Sequence, residues 1–417
     1  SRSSAASDVY KRQISIIAVK FAFKIMSVEK YVQINKNKLH SIQRRHPWIF
    51  SGAITHESEE MFDGDLVTVL NHQEQIIAKG HFQHATIAVR ILTFEDEPIN
   101  GDFFKRKIEN AVNLRMDQNL FRKDNSICRL VHGEGDGLPG LIVDYYNKVA
   151  IIQCHSIGMY KAITEIKDAL VAVLKDNLIA VYNKSAETLP DRNISTDGYL
   201  FGTCETPHIA IENGINYEID WVNGQKTGFF IDQRESRSLL AKYAKGKKVL
   251  NTFCYSGGFS LSALNAGATL AHSLDSSKKA IDLTENNVRL NNLEENHKSI
   301  VADAMNYMKD LPEEYDIIIL DPPAFAKHRN KRHQAIQGYK RLNAHTIRQI
   351  RPGGIIFTYS CSQVVDKQLF NNTIIAAAIE AGREVRILEQ LHQPADHPIN
   401  AFHPEGEYLK GLVIRID

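Results

Sequence analysis

The residues that could do chemistry in this chain each stand at the end of an apolar run. Asp321 closes Ile317-Ile318-Ile319-Leu320 and is followed by Pro322-Pro323-Ala324-Phe325. Cys361 closes Ile355-Ile356-Phe357-Thr358-Tyr359-Ser360. Phe253-Cys254-Tyr255-Ser256-Gly257-Gly258 follows Val249-Leu250-Asn251-Thr252, and Asp275 and Asp303 end two further runs. A cysteine in such a place can act as a nucleophile once its thiolate is stabilised. Asp321 and its two prolines make a stiff rim against which a flat heterocycle could be set. The glycine pair lets backbone approach a ligand closely. An acid about twenty residues further on, Asp275, is placed to hold a ribose diol. Together these describe a nucleoside-containing cofactor. The loop lacks G-x-G-x-x-G, which disfavours NAD, and no G-x-x-x-x-G-K-S/T is present, which excludes a P-loop. A nucleoside cofactor without phosphates points to S-adenosylmethionine.

Strands must bring these residues to one edge. From about residue 206 strand and helix signals alternate, which predicts a doubly wound α/β sheet. An uninterrupted run such as Ile317–Leu320 suits a strand buried on both faces. Asn251–Gly258, Asp275, Asp303, Asp321 and Cys361 then share the carboxyl edge of the sheet. The segment Tyr408–Ile416 reads as a last, antiparallel strand at the sheet's edge. Lys327, Arg329, Lys331 and Arg332 follow Asp321 directly, and a basic run there suits phosphate contacts.

The preceding chain differs in texture. Residues 26–98 are short and β-rich, with turns such as Asp63-Gly64, and read as a small β-barrel. Lys36, Lys38, Arg44, Arg45 and His46 cluster before Trp48, a pairing of cations and ring that RNA contacts use. A solvated face with a core tryptophan is the plainer account. Residues 99–205 form a central α+β region. It contains a helix over Phe103–Phe121, a glycine-rich stretch from Gly133 to Gly140, and a helical period over Met159–Leu174. His132-Gly133-Glu134 reads as turn chemistry. Residues 206–417 are the third expected domain. Ser3–Gln13 matches an in-frame translation of a sequencing adaptor, so 1–25 are expected to be artefact and readthrough, with Met26 the start.

Composition narrows the class. The 417 residues are 43% hydrophobic and 24% charged with net charge +1, the profile of a soluble globular chain with no global basic field. No apolar run approaches a membrane span. Cys128, Cys154, Cys204, Cys254 and Cys361 form no C-x-x-C pair, which argues against a zinc site or disulfide framework and for a reducing cytoplasm. Cys128, Cys154 and Cys204 are expected in the core, and Cys254 packed against the cofactor.

From about Val28 onward the chain resembles the ribosomal RNA large-subunit methyltransferase I family. The resemblance is carried by His46-Pro47-Trp48-Ile49-Phe50, Gly135–Asp144, Gln225–Arg234, Phe253–Phe259, Asp321–Lys327, Ser360-Cys361-Ser362 and Asp396-His397-Pro398. It implies a Rossmann-like class I methyltransferase sheet with an N-terminal PUA domain. It further implies S-adenosylmethionine as cofactor, large-subunit (23S) ribosomal RNA as partner, and methylation at cytosine C5. Gln225, Lys226, Thr227 and Arg234 would line the cofactor cleft with Phe253, Tyr255, Gly257 and Gly258. Asp275 would hold the ribose and Asp303 the adenine. Cys361 would add to cytosine C6 while Asp321 holds the base edge. Many RNA cytosine-C5 methyltransferases carry a second cysteine after the motif proline. Here Pro323 and Ala324 stand in that place. The Asp-Pro-Pro loop with its aromatic also resembles that of enzymes methylating exocyclic amines, where no cysteine is needed. A non-catalytic RNA-binding protein is a third reading, and a homodimer is left open.

Overall fold

The computed structural model describes residues 30–312, 314–326 and 328–417. The expectations for residues 1–25 and for Lys327 lie outside the described residues. The chain divides after Glu97 into two compact units.

In the first unit β1 (Tyr31–Ile34), β2 (Trp48–Phe50), β3 (Ile54–Glu57), β4 (Leu66–Leu70), β5 (Ile76–Phe82) and β6 (Ile87–Thr93) form one sheet, ordered β2-β6-β5-β4-β1-β3. Alternation sends Val32, Ile34, Val67, Val69, Val89 and Ile91 into a single core.

The second unit holds three sheets. Its first orders β11 (Gly198–Phe201), β10 (Ala180–Asn183), β9 (Val149–Cys154), β8 (Leu141–Tyr146) and β7 (Ile127–His132) side by side. Helices Gly101–Asp117 and Ile163–Leu174 pack on each other beside it. The helical stretch expected over Met159–Leu174 is two helices, Ile157–Lys161 and Ile163–Leu174, joined at Ala162. A hairpin of β12 (His208–Glu212) and β13 (Ile215–Ile219) follows, which the sequence reading missed. It joins the sheets: Ile127, Tyr146 and Ile151 share a core with Tyr217, Trp221 and Phe229, and with Leu261 and Val288 beyond. The expected boundary between 205 and 206 runs through that core.

The third sheet comprises β14 (Lys248–Thr252), β15 (Leu270–Asp275), β16 (His297–Val301), β17 (Ile317–Leu320), β18 (Ile355–Ser360), β19 (Val385–His392) and β20 (Lys410–Ile416), ordered β16-β15-β14-β17-β18-β20-β19. All four residues of β17 are buried, as a strand covered on both faces requires. One expectation needs correction: β20 is antiparallel, but it lies between β18 and β19, and β19 takes the edge. The edge strand leaves Ile387 and Leu388 exposed, while β20 is buried at all but one position. The five parallel strands are in register at their ends: Thr252 sits opposite both Leu274 and Leu320, and Leu320 opposite Thr358. Strand order reverses between β14 and β17, which opens a crevice at that edge. No helix among the described residues is long and apolar enough to cross a membrane.

Candidate active site

A cleft of about 380 Å³ opens at this switch point. Its walls include Gln225, Asp232, Gln233, Phe253, Tyr255, Gly258, Asp275, Asp321, Pro322, Pro323 and Cys361. Residues from four parallel-strand ends and from the segment before the helix Arg234–Ala244 thus meet in one space.

The glycine loop is held in an uncommon shape. Phe253 and Tyr255 adopt φ of +56° and +47°, and Gly257 +76°. Left-handed backbone at non-glycine residues persists only where surroundings over-determine it. Here the Tyr255 N–H donates to Asp275 Oδ2 at 3.2 Å, Ser277 N–H donates to Asp275 Oδ1 at 2.9 Å, and the Thr284 hydroxyl donates to the Tyr255 carbonyl at 3.0 Å. A Cβ on Gly257 would come 2.7 Å from Thr284 Cγ2. The Tyr255 hydroxyl accepts from Gln225 N–H at 3.0 Å, tying the Gln225 turn to the loop. Each Asp275 oxygen keeps a lone pair for a diol beyond these bonds. Asp232, Asp275 and Asp321 face the same space. Among the described residues Arg237 is the one basic side chain on its wall, and it is held by Glu212 at 2.6 and 2.8 Å. Such a donor set and charge fit a nucleoside that carries a sulfonium cation.

Asp321 and Cys361 stand on adjacent strands. Burial, and then the Asp232 carboxylate, push Asp321 up to about 7, against the Gln233 amide donating to its Oδ2 at 2.9 Å. Burial, then Asp321 and Asp232, push the Cys361 thiol up to about 11. Next to Cys361, the Ser362 hydroxyl donates to the Ala326 carbonyl at 2.7 Å, which fixes the cysteine turn to the proline loop. Lys410 Nζ donates to the Ser362 carbonyl at 2.7 Å, and burial lowers this amine to about 8. Phe325 does not line the cleft. Its ring packs on Tyr339, centroids 4.6 Å apart, and on the bare face of Gly338.

Several residues expected at the cofactor lie off the cleft wall. Thr227 is buried behind the loop, donating to Asp144 Oδ2 at 2.6 Å and bonded to the Tyr146 hydroxyl at 2.8 Å. Arg234 turns the opposite way from Asp232 and Gln233 and pairs with Asp396. Lys226 is exposed at a left-handed position, off the cleft wall. Asp303 caps the helix Ala304–Tyr307, its Oδ1 accepting from Asn306 N–H at 2.8 Å. Gly257 is buried against Thr284 and Leu261 and is not among the wall residues. Cys204 is half-buried, not in the core, with Sγ 3.3 Å from His208 Nδ1. Cys254 does lie on the wall, and Cys128 and Cys154 are fully buried.

Asp396 centres a second cluster. It accepts from the Arg129 N–H at 3.0 Å and from Arg234, and lies 2.9 Å from His397 Nδ1. Arg115 grips Asp136 at 2.5 and 2.8 Å and donates to the Asp396 carbonyl at 2.7 Å. Arg129 grips Asp144 at 2.7 and 2.9 Å. A Cβ on Gly135 would come 1.9 Å from the Pro398 carbonyl oxygen. The glycine-rich stretch is therefore where the chain near 398 crosses the central region.

Of the basic residues, Lys36, Arg44 and Arg45 are exposed on the first unit, with Arg45 over the Phe94 ring at 5.6 Å, and Trp48 is half-buried, edge-on to His46. Lys331 and Arg332 are exposed in the second unit, and Arg332 lies 3.4 Å from Asp366. Arg329 begins a short 3-10 turn, Arg329–Lys331. Asp232, Gln233, Tyr408 and Lys410 were missed as site residues. The first two were legible as polar residues within Gln225–Arg234. The others, Tyr408 just before β20 and Lys410 at its start, come from far along the chain.

A family model for S-adenosylmethionine-dependent methyltransferases matches residues 184–415, and one for PUA-like domains matches residues 32–94. Among solved structures, a Streptococcus mutans SAM-dependent methyltransferase superposes with TM-score 0.79 at 22% identity, covering 92% of this chain and 99% of that one. A methyltransferase complexed with SAH gives TM-score 0.80 at 23% identity, covering 93% and 100%. At such identities these establish the fold. Fold, cleft and family model together make this chain an S-adenosylmethionine-dependent methyltransferase. Ribosomal RNA large subunit methyltransferase I of Shewanella frigidimarina is 38% identical over 396 residues, 92% of this chain and 99% of that protein. The protein of that name from Enterobacter sp. (strain 638) is 35% identical over 392 residues, 92% and 98%. The chain belongs to the ribosomal RNA large subunit methyltransferase I family.

Proposed function

We propose that the chain methylates C5 of a cytosine in large-subunit ribosomal RNA, with Cys361 as covalent nucleophile. The observation that carries this reading is Cys361 on the same cleft wall as Asp321 and the glycine loop. Bound S-adenosylmethionine supplies an electrophilic methyl group. Asp275 and Tyr255 hold its nucleoside, with Gln225 and Phe253 beside them. A flipped cytosine enters between Cys361 and Asp321. The Cys361 thiol adds to C6, its proton passing through Asp321 to ring N3. An acid near 7 both accepts and donates at neutral pH. C5, now nucleophilic, takes the methyl group. Lys36, Arg44, Arg45 and Trp48 on the first unit, and the exposed Lys331 and Arg332 on the second, serve RNA contact.

The protonated state of Cys361 in the free cleft favours a second reading, methylation of an exocyclic base amine without a covalent step. The packing of Phe325 on Gly338 weighs against it, because that aromatic is not offered to a base. Cys361→Ala separates the two. On the first reading methyl transfer to ribosomal RNA from cells lacking the gene falls below detection while cofactor affinity stays within about twofold. Persistent transfer would establish the amine reading.

A further inference from the structure

A cytosine-C5 reaction needs a base for the C5 proton, and Pro323 and Ala324 stand where a second cysteine would assist release. From the cleft geometry we infer that Asp232 is that base. The inference rests on the covalent reading above.

Asp232 is half-buried on the cleft wall shared with Asp321 and Cys361. The turn Ile231–Gln233 presents it: Gln233 reaches Asp321, Tyr408 reaches Asp232, and Arg234 points away to Asp396. The Tyr408 hydroxyl donates to Asp232 Oδ2 at 2.8 Å. Oδ1 accepts no hydrogen bond among the described residues. One oxygen is thus anchored while the other keeps its lone pairs, on a residue of the cleft wall, the arrangement a proton acceptor requires. Burial and the Asp232 charge raise Asp321 to about 7. Two neighbouring carboxyl groups in unlike surroundings are how one site divides acid from base.

The step balances. After methyl transfer C5 carries both a hydrogen and the new methyl group, and C6 is bonded to Cys361 Sγ. Asp232 Oδ1 takes the C5 proton. The C–H electron pair re-forms the C5–C6 double bond, and the C6–S bond breaks with its pair on sulfur. The N3 proton returns through Asp321 to the thiolate, and Asp232 releases its proton to water.

The test uses the full chain, ribosomal RNA from cells lacking the gene, and cofactor labelled in the methyl group. Asp232→Asn should slow release of methylated RNA by ~10²-fold or more. It should also accumulate a denaturant-resistant protein–RNA complex carrying the label, whereas the parent protein accumulates little. Asp232→Glu should restore part of the release rate. Tyr408→Phe, which frees the anchored oxygen, should show the same accumulation more weakly and guards against a folding failure of the first variant. Release by Asp232→Asn within tenfold of the parent overturns the inference. So does loss of cofactor affinity with no labelled complex, which would place Asp232 on the cofactor. RNA containing 5-fluorocytosine distinguishes the levels. If it traps the parent protein, a negative result with Asp232→Asn removes only the base assignment. If it traps nothing, the covalent reading and the inference fall together.

Discussion

Two groups of carboxylates lie in the second unit, one buried and one half-buried at the cleft, and they are treated oppositely. Around Asp396, Asp136 and Asp144 every acid meets an arginine. Burial alone would raise Asp396, but His397 and Arg234 outweigh it and hold the carboxyl well below its usual range. At the cleft, Asp321 has an amide from Gln233 and a second carboxylate nearby, and it is raised to about 7. The same side chain is thus a fixed charge in one place and in the other a group that exchanges its proton near neutral pH. Partners decide which. The paired group shapes the fold around the loops, and the unpaired group keeps its chemistry available.

The comparison breaks most visibly if a cation is withdrawn from the paired group. Arg234→Ala leaves Asp396 short of its closest partner, and breaking a buried pair costs about 3–5 kcal/mol; urea unfolding should show a loss of that size. Asp396 contributes stability above its unfolded value, lost as pH falls, so the gap between variant and parent should narrow in acid. Removing a neutral partner should cost less. Thr227→Val keeps the Arg129 grip on Asp144 but leaves the Tyr146 hydroxyl unpaired, for a loss of about 1–2 kcal/mol by the same measurement. The smallest change should have the opposite sign. Asp321 is raised in the fold, so the folded state binds an extra proton between the unfolded value and about 7, and stability declines as pH rises through that window. Asp321→Asn should therefore be more stable than the parent at pH 8, by on the order of 1 kcal/mol, with the gain vanishing towards pH 4. It should also lose methyl transfer. Equal stability of the two proteins at pH 8 would mean that Asp321 carries no burden of unpaired charge.

The sequence showed the sheet because its signals are local. Ile317–Leu320 announces a doubly covered strand, and the acid, cysteine and glycines that end such strands must share an edge once the strands are parallel. What it hid depends on distant partners or on which way one turn faces. Arg115 bonds the Asp396 carbonyl across 281 positions of sequence, and Tyr408 bonds Asp232 across 176. No period or spacing encodes such pairs. Asp232, Gln233 and Arg234 are consecutive, yet the turn into the helix sends two to the cleft and the third behind it. Neighbourhood in a motif therefore does not show that the side chains of Thr227 and Arg234 bond away from the cleft, to Asp144 and Asp396. The place of β20 inside the sheet was equally silent, because a buried antiparallel strand and a buried edge strand read alike until the next neighbour is known.

The crossing of Gly135 beneath Pro398 bears on how the chain can be divided. The segment around Asp396 belongs by sequence to the catalytic sheet, but two of the arginines that hold it, Arg115 and Arg129, precede residue 206. A fragment beginning at 206 would carry the glycine loop, Asp321 and Cys361 together with a buried acid stripped of half its support and a hairpin with one bare face. Minimal catalytic pieces of this protein should begin near Pro98, and any chimera with another methyltransferase should exchange the central sheet and the catalytic sheet as one piece.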